Sequence, residues 1–348
     1  CQFGADNCSS HESGDRPRVI KQNPLRRAVW SKNLFHPSPI EIISARVCAG
    51  GIQMKRFLPL ICGLAALFSI SYQVPAAVSA LDDTGRTITL SKPATRIISM
   101  APNLTEILFH IEAGSQIVGV VEYSDFPPEA LDIPKIGASH QFDIEAILAL
   151  QPDLIVAWES GNPTDDLAKL EQLGLPIFRT EPRTLNDIAT LLERLGKLTG
   201  HSTISDVLAA TFLEGTASIR EAYQQRQNLT VLYQIWSDPI YTLNGEHLIS
   251  RLIEHCGGTN IFFELETLAP IVSTESVIER NPDVIIAGGY GGVAPEWLGA
   301  WNQWSSIKAV KSKDLYTVDA DQISRMGPRI LQGLQELCQA IDQARGKS

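Results

Sequence analysis

The chain has 348 residues, of which 20% are charged and 44% hydrophobic, with a formal net charge of −10. The charge is divided: residues 1–80 carry nine Lys and Arg against four Asp and Glu, and the remainder carries twenty against thirty-five. A body this acidic is poorly suited to nucleic acid or an anionic membrane surface, and at 268 residues it is long enough for two lobes of ordinary size.

Residues 1–53 hold scattered Pro, Arg and Ser without a hydrophobic period, and they precede Met54. They read as a leader that is not part of the protein proper, or as a mis-assigned start. Met54-Lys-Arg56 then opens a basic segment, followed by a mostly apolar run over 57–70 and small residues ending at Ala80. This is the three-part pattern of a secretory signal peptide over 54–80, with cleavage expected after Ala80 and Val78 and Ala80 as the small residues read by the peptidase. The bland alternative is a buried N-terminal helix. Cys62 lacks the small residues expected before a lipid-modified cysteine, so a soluble exported protein is expected.

The body starts with a first lobe over 81–184. Residues 95–100 read as a buried strand. Asn103 is expected to cap the following helix, with Glu106 three residues later completing a box-like start, and Gly114 to end it. Residues 117–121 form a second strand and Tyr123-Ser-Asp-Phe-Pro-Pro128 a loop. A helix and strand ending at Trp158 follow, then a helix stopped at Gly174 and a strand over 176–180. Strands alternating with helices imply a parallel sheet with crossover helices.

Residues 185–228 are a helical linker. A helix over 185–195 is broken at Gly200, and 202–227 runs without proline as a long spine, weakened slightly by Gly215. The second lobe, 229–348, starts with a strand over 231–236. An Asn244-Gly245 turn leads to a helix, and a last helix begins near Pro328 with Ile330, Leu334, Leu337, Cys338 and Ile341 on one face.

The two lobes share a sentence. Asp143-Ile-Glu-Ala-Ile-Leu-Ala-Leu-Gln-Pro-Asp-Leu-Ile-Val-Ala-Trp158 and Ser273-Thr-Glu-Ser-Val-Ile-Glu-Arg-Asn-Pro-Asp-Val-Ile-Ile-Ala-Gly288 each run cap, glutamate, short helix, Pro-Asp and buried strand. A unit used twice implies two similar α/β lobes with a ligand cleft between them.

Chemistry of the catalytic kind is poorly represented. No nucleophile elbow, Walker loop or His-Glu-x-x-His occurs. His110, His140, His201, His247 and His255 form no ligand spacing, and no metal site is expected. Cys256 and Cys338 are the only cysteines beyond position 80. In an oxidising compartment they read as a disulfide, with two separate buried thiols as the alternative.

Strand ends are where open α/β sheets hold ligands. Trp158 ends such a strand and either faces the cleft or covers the core; Tyr123 carries the same ambiguity. Tyr241 and Trp236 flank a loop of the second lobe. Asp321 and Arg325 are either a local surface ion pair or a polar clamp at the cleft.

Val120-Val-Glu-Tyr-Ser-Asp-Phe-Pro-Pro128, the Pro-Asp-Leu-Ile-Val-Ala-Trp158 strand, Cys256-Gly-Gly-Thr-Asn-Ile-Phe262 and the stretch from Asp321 through Arg325-Met-Gly-Pro-Arg-Ile330 together resemble the periplasmic vitamin B12-binding proteins of ABC importers. The resemblance covers nearly all of 81–345 and rests on the order and spacing of these segments. It implies two Rossmann-like lobes bridged by a single long α-helix, a disulfide between Cys256 and Cys338, and cobalamin or a related corrinoid as cargo, with no resident cofactor and no enzymatic activity. A monomer that hands its cargo to the membrane subunits of an ABC importer is the expected working form.

The same resemblance implies roles for individual residues. Tyr123 and Trp158 match aromatics packing on the corrinoid from the first lobe, Tyr241 an aromatic at the mouth of the second, and Asp321 with Arg325 the polar pair at the ligand's edge. Glu145 and Glu275 match one importer-docking carboxylate per lobe; as first-turn residues they also suit the helix dipole. Two tryptophans typical of the family are absent, one near Ser139-His140-Gln141-Phe142 and one near Ala269-Pro270. His140 becomes a candidate ligand contact by hydrogen bonding. A ferric siderophore or haem receptor of the same fold is the near alternative, and an exported enzyme on a two-lobed scaffold the distant one.

Overall fold

The structure, a computed structural model, describes residues 18–19 and 76–346. The repetition read in the sequence extends to whole sheets. In the first lobe the parallel strands are Ile97–Ser99, Ile117–Val120, Leu154–Trp158 and Ile177–Thr180, laid side by side in the order second, first, third, fourth. In the second lobe Leu229–Gln234, Gly258–Asn260, Val284–Gly289 and Leu315–Asp319 repeat that order, again in parallel. A two-residue strand, Arg18–Val19, lies beside Leu315–Asp319 at the outer edge.

Both sheets are covered on both faces, which is why their strands read as continuous apolar runs. Ile97 and Val156 enter one core cluster while Ile98, Ile155 and Ala157 enter another. Val231, Ile286 and Val318 likewise point one way and Leu232, Ile285 and Leu315 the other. The cluster holding Ile97 and Val156 also takes in Ile188, Leu192, Leu195, Val231 and Ile286, so one continuous core runs from the first lobe through the linker helix into the second.

Each copy of the repeat uses the same local devices. Asp143 accepts a hydrogen bond from the Ala146 amide at 2.9 Å and Ser273 from the Ser276 amide at 3.2 Å, capping the helices Ile144–Ala149 and Thr274–Arg280; each cap contributes about 1 kcal/mol. The aspartate of each Pro-Asp pair then binds the start of the neighbouring strand. The Asp153 carboxylate accepts from the Thr95 amide and hydroxyl and the Arg96 amide, at 2.8–3.0 Å. Asp283 accepts from the Thr230 amide at 2.9 Å and hydroxyl at 2.7 Å.

The linker contains two helices. Leu185–Thr199 begins with a reciprocal capping box between Thr184 and Asp187 and ends at Gly200, whose φ is 83°. Ser202–Tyr223 is the spine, 22 residues and about 33 Å long, four residues shorter than the sequence reading. Gly215 is more than a weak point: a Cβ there would lie 2.8 Å from Leu331 of the C-terminal helix, so glycine permits the close approach of these two helices.

Three expectations change. Asn103 does not cap the first helix, Pro102–His110; Ala101 occupies that position without a side-chain cap, and Glu106 is buried for another purpose. The helix also ends at His110, ahead of Gly114. Finally, Val78–Leu81 pairs antiparallel with Thr87–Leu90, Ala80 is buried, and the expected cleavage point after Ala80 falls inside that strand. The folded body therefore includes Val78, Ser79 and Ala80, and most of the expected signal segment, residues 54–75, lies outside the described residues. Among the described residues no helix is long and apolar enough to cross a membrane.

Candidate functional site

In a sheet ordered second, first, third, fourth, the chain leaves the first and third strands in opposite directions, which opens a crevice at their carboxyl ends. Trp158 closes the third strand of the first lobe. Its side chain is half-buried and packs against the core, so it serves the core while leaving part of its surface in solvent. The indole lies directly against Gly161, where a Cβ would stand 1.8 Å from a ring carbon.

Asn162, which sequence reading passed over, organises this end of the sheet. It is buried; its Oδ1 accepts from the Trp158 amide at 2.7 Å, and its Nδ2 donates to the carbonyls of Met100 and Ser139, each at 3.0 Å. One amide thus joins the ends of the first and third strands to the turn that carries His140. That turn links the short strands Gly137–Ala138 and Gln141–Phe142, and His140 is exposed on it. Tyr123 follows the second strand with φ at 62° and is 77% exposed.

In the second lobe the chain leaves the first strand at Gln234 and makes a three-stranded ribbon from Trp236–Ser237, Ile240–Tyr241 and Ile271–Val272. Tyr241 is half-exposed on this ribbon.

Asp321 and Arg325 do form the local pair, at 2.9 Å, but Arg325 also reaches across to the first lobe. Its Nη1 donates to Glu106 at 2.9 Å and to Asp125 at 2.7 Å. Arg329 adds a two-pronged pair to Glu106, at 2.8 and 2.6 Å, and its guanidinium stacks 4.0 Å from the Phe126 ring. Asn103 donates to the Met326 carbonyl at 3.2 Å. The Glu106 side chain is 2% exposed, so the centre of this junction is shielded from water, while the Asp125 side chain at its edge is 48% exposed. Burial would lower the Arg325 pKa, but its bonds to Asp125 and Glu106 outweigh that and raise it. Burial would raise Asp125, but the hydrogen bond from Arg325 and the positive charge of Arg325 and Arg329 together outweigh it and hold the carboxyl below its ordinary range. Beside the junction is a cavity of about 350 Å³, lined by Phe109, His110, Phe126, Pro127, Glu129 and Pro328 together with Glu106 and Arg329.

Glu145 and Glu275 belong to the two copies of the repeat. Each lies in the first turn of its helix, two positions after the cap, so the repeat presents one carboxylate per lobe in an equivalent local setting. Hydrogen bonds from its own backbone amide and from the Ser273 side chain hold the Glu275 carboxyl below its ordinary range. Cys256 and Cys338 are joined, with sulfurs 2.03 Å apart in the core.

A family described as periplasmic binding protein matches residues 97–322. A vitamin B12-binding protein of Vibrio cholerae is 36% identical over 246 residues, covering 71% of this chain and 88% of that protein. The crystal structure of the periplasmic vitamin B12 binding protein BtuF of Vibrio cholerae superposes with a TM-score of 0.67 at 35% identity, covering 73% of this chain and 98% of that one. The periplasmic haem-binding protein RhuT from Roseiflexus is similar with a TM-score of 0.64 at 25% identity, covering 72% and 99%. The chain belongs to the periplasmic binding protein family.

Proposed function

We propose that this chain is a periplasmic receptor that captures cobalamin or a related corrinoid between its lobes and delivers it to an ABC importer. The observation that supports the reading is two sheets of equal strand order, with Trp158 at the carboxyl end of a first-lobe strand, Tyr123 in the loop after another, and Tyr241 on the ribbon that follows the first strand of the second lobe. A corrin is broad and apolar with an amide fringe; aromatic side chains suit its surface and a few fixed polar groups its edge. The likeness to vitamin B12-binding relatives supports the same cargo.

The haem-binding neighbour keeps a haem or ferric siderophore receptor as the second reading. Anionic siderophores call for arginines free to meet them. Here Arg325 and Arg329 are committed to Glu106, Asp125 and Asp321, three carboxylates against two guanidiniums, which favours a neutral cargo edge.

The working form we infer is a monomer, exported by a signal peptide that is cut ahead of Val78 so that the Val78–Leu81 strand stays whole. Glu145 and Glu275 would meet cationic groups on the importer's membrane subunits. The test is calorimetric titration of the exported protein with cyanocobalamin. A one-to-one isotherm of submicromolar affinity supports the reading. Folded protein that binds haem or a ferric siderophore but no cyanocobalamin replaces it with the second reading.

A further inference from the structure

The ribbon of the second lobe sets Tyr241 in a row with two side chains not yet given a place in the cleft. Trp236 lies directly opposite Tyr241, and Tyr241 directly opposite Ile271. Directly opposed residues of an antiparallel pair point to the same face, so the three form one row across three strands. The other face is accounted for: Ile240 and Val272 pack on the core of the second lobe. The Trp236 row therefore faces outward, with Trp236 56% and Ile271 58% exposed.

A row of large apolar side chains held in solvent marks a surface that receives something. Its position says where. The ribbon leaves the sheet at Gln234, the carboxyl end of the first strand, beside the third strand; this is the crevice at which such sheets take ligands. The row is also held firm before any ligand arrives. The Trp236 indole Nε1 donates to the Asp238 carbonyl at 3.2 Å, which fixes the ring over its own hairpin turn. The Trp236 carbonyl accepts from Gln234 Nε2 at 3.0 Å, and Gln234 Oε1 accepts from the buried Trp301 indole at 2.7 Å. Thr242 extends the ribbon by donating from its amide to the Pro270 carbonyl at 3.0 Å and from its hydroxyl to the Tyr233 carbonyl at 2.8 Å. An aromatic whose orientation is already set loses little freedom when it is covered.

We propose that Trp236 and Ile271 join Tyr241 as an apolar platform for the corrinoid, and that Trp236 supplies the indole missing near Ala269-Pro270. The proposal rests on the corrinoid reading of the cleft and goes beyond it by assigning the second lobe's share of the cargo surface to this ribbon. A corrin laid on the row covers the exposed indole, while the opposite face, represented by Ser237, stays out of contact.

The test compares cyanocobalamin binding to the full chain and to Trp236→Ala, Trp236→Phe, Ile271→Ala and Ser237→Ala, each checked by circular dichroism and thermal melting. Truncating a covered aromatic of this kind weakens binding by about tenfold or more, so Trp236→Ala should fall by that factor. Ile271→Ala should lose severalfold, Trp236→Phe should keep part of the affinity, and Ser237→Ala should match the wild type. Ligand-induced tryptophan quenching should also shrink in Trp236→Phe. If Trp236→Ala is too unstable to titrate, Trp236→Phe decides by these two readouts. Wild-type affinity in both Trp236 variants, with Trp158→Ala weakened, overturns the platform and leaves the corrinoid reading intact. A wild-type protein that binds no cyanocobalamin overturns the corrinoid reading and the platform with it.

Discussion

Glu106 and Arg329, 223 residues apart in the chain, meet in a two-pronged ion pair between the lobes, with the carboxylate almost wholly out of water. Arg325 binds the same carboxylate. A buried pair of this kind adds little over a well-packed apolar contact, yet breaking one side of it is costly because the remaining charge stays buried. Glu106→Gln should therefore lower stability by about 3 kcal/mol, measured by urea unfolding. Arg325 retains Asp125 and Asp321, so most of the loss should come through Arg329, and Arg329→Met combined with Glu106→Gln should recover part of it.

His247 makes acid sensitivity local. It caps the helix Leu248–His255, its Nδ1 accepting from the Ile249 amide at 3.1 Å, and burial lowers its pKa to about 4. A folded-state pKa below the ordinary value of 6.5 means that the unfolded chain takes up the proton first. The contribution is complete above pH of about 6.5 and is lost as the pH falls toward about 4, amounting to at most about 3 kcal/mol. His247→Asn keeps an acceptor at the cap and removes the titration, so melting temperature followed between these limits should fall more steeply in the wild type than in the variant, in which His110 and His255, their pKa values lowered by desolvation, still contribute.

Cys256 and Cys338 close a loop with a sequence separation of 82. Constraining the unfolded chain to that extent stabilises the protein by about 4.5 kcal/mol on the chain-entropy account. Denaturant unfolding of the Cys256→Ala, Cys338→Ala double variant should show a loss of this order, while cyanocobalamin binding under native conditions persists, because both cysteines are fully buried and present no surface to a ligand.

Gly161 offers a way to disturb Trp158 without removing it. A methyl group at 161 would overlap the indole, since the added Cβ stands 1.8 Å from Cε3. Gly161→Ala should therefore displace the ring and weaken cyanocobalamin binding by about tenfold, comparable to Trp158→Ala. Equal affinity in both variants and the wild type would return Trp158 to a role in the core alone.

Transport and binding should separate at the docking carboxylates. Glu145→Arg with Glu275→Arg reverses one first-turn charge on each lobe and leaves Tyr123, Trp158 and Tyr241 untouched. Ligand affinity should match the wild type while uptake by cells that depend on this receptor is abolished. Uptake at the wild-type rate would refute the docking role.

Local order was legible from the chain alone, because it depends on neighbours in sequence. The repeated cap, helix, Pro-Asp and strand appear where the spacing put them, as do the proline-free spine and the parallel strands. These features arise from backbone periodicity, capping and the burial of apolar runs on both faces of a sheet. Local and long-range demands compete at two places. Asn103 and Glu106 have the spacing of a capping box, yet Asn103 turns to Met326 and Glu106 to Arg325 and Arg329. Val78–Ala80 have the small residues of a cleavage site, yet pairing with Thr87–Leu90 takes them into the fold. Tertiary structure alone decided that Arg325 spans the lobes, that Asn162 ties Trp158 to the His140 turn, and that Trp236 shares a face with Tyr241. Each depends on strand register or on side chains far apart in sequence meeting in space, and no spacing along a single chain encodes that meeting.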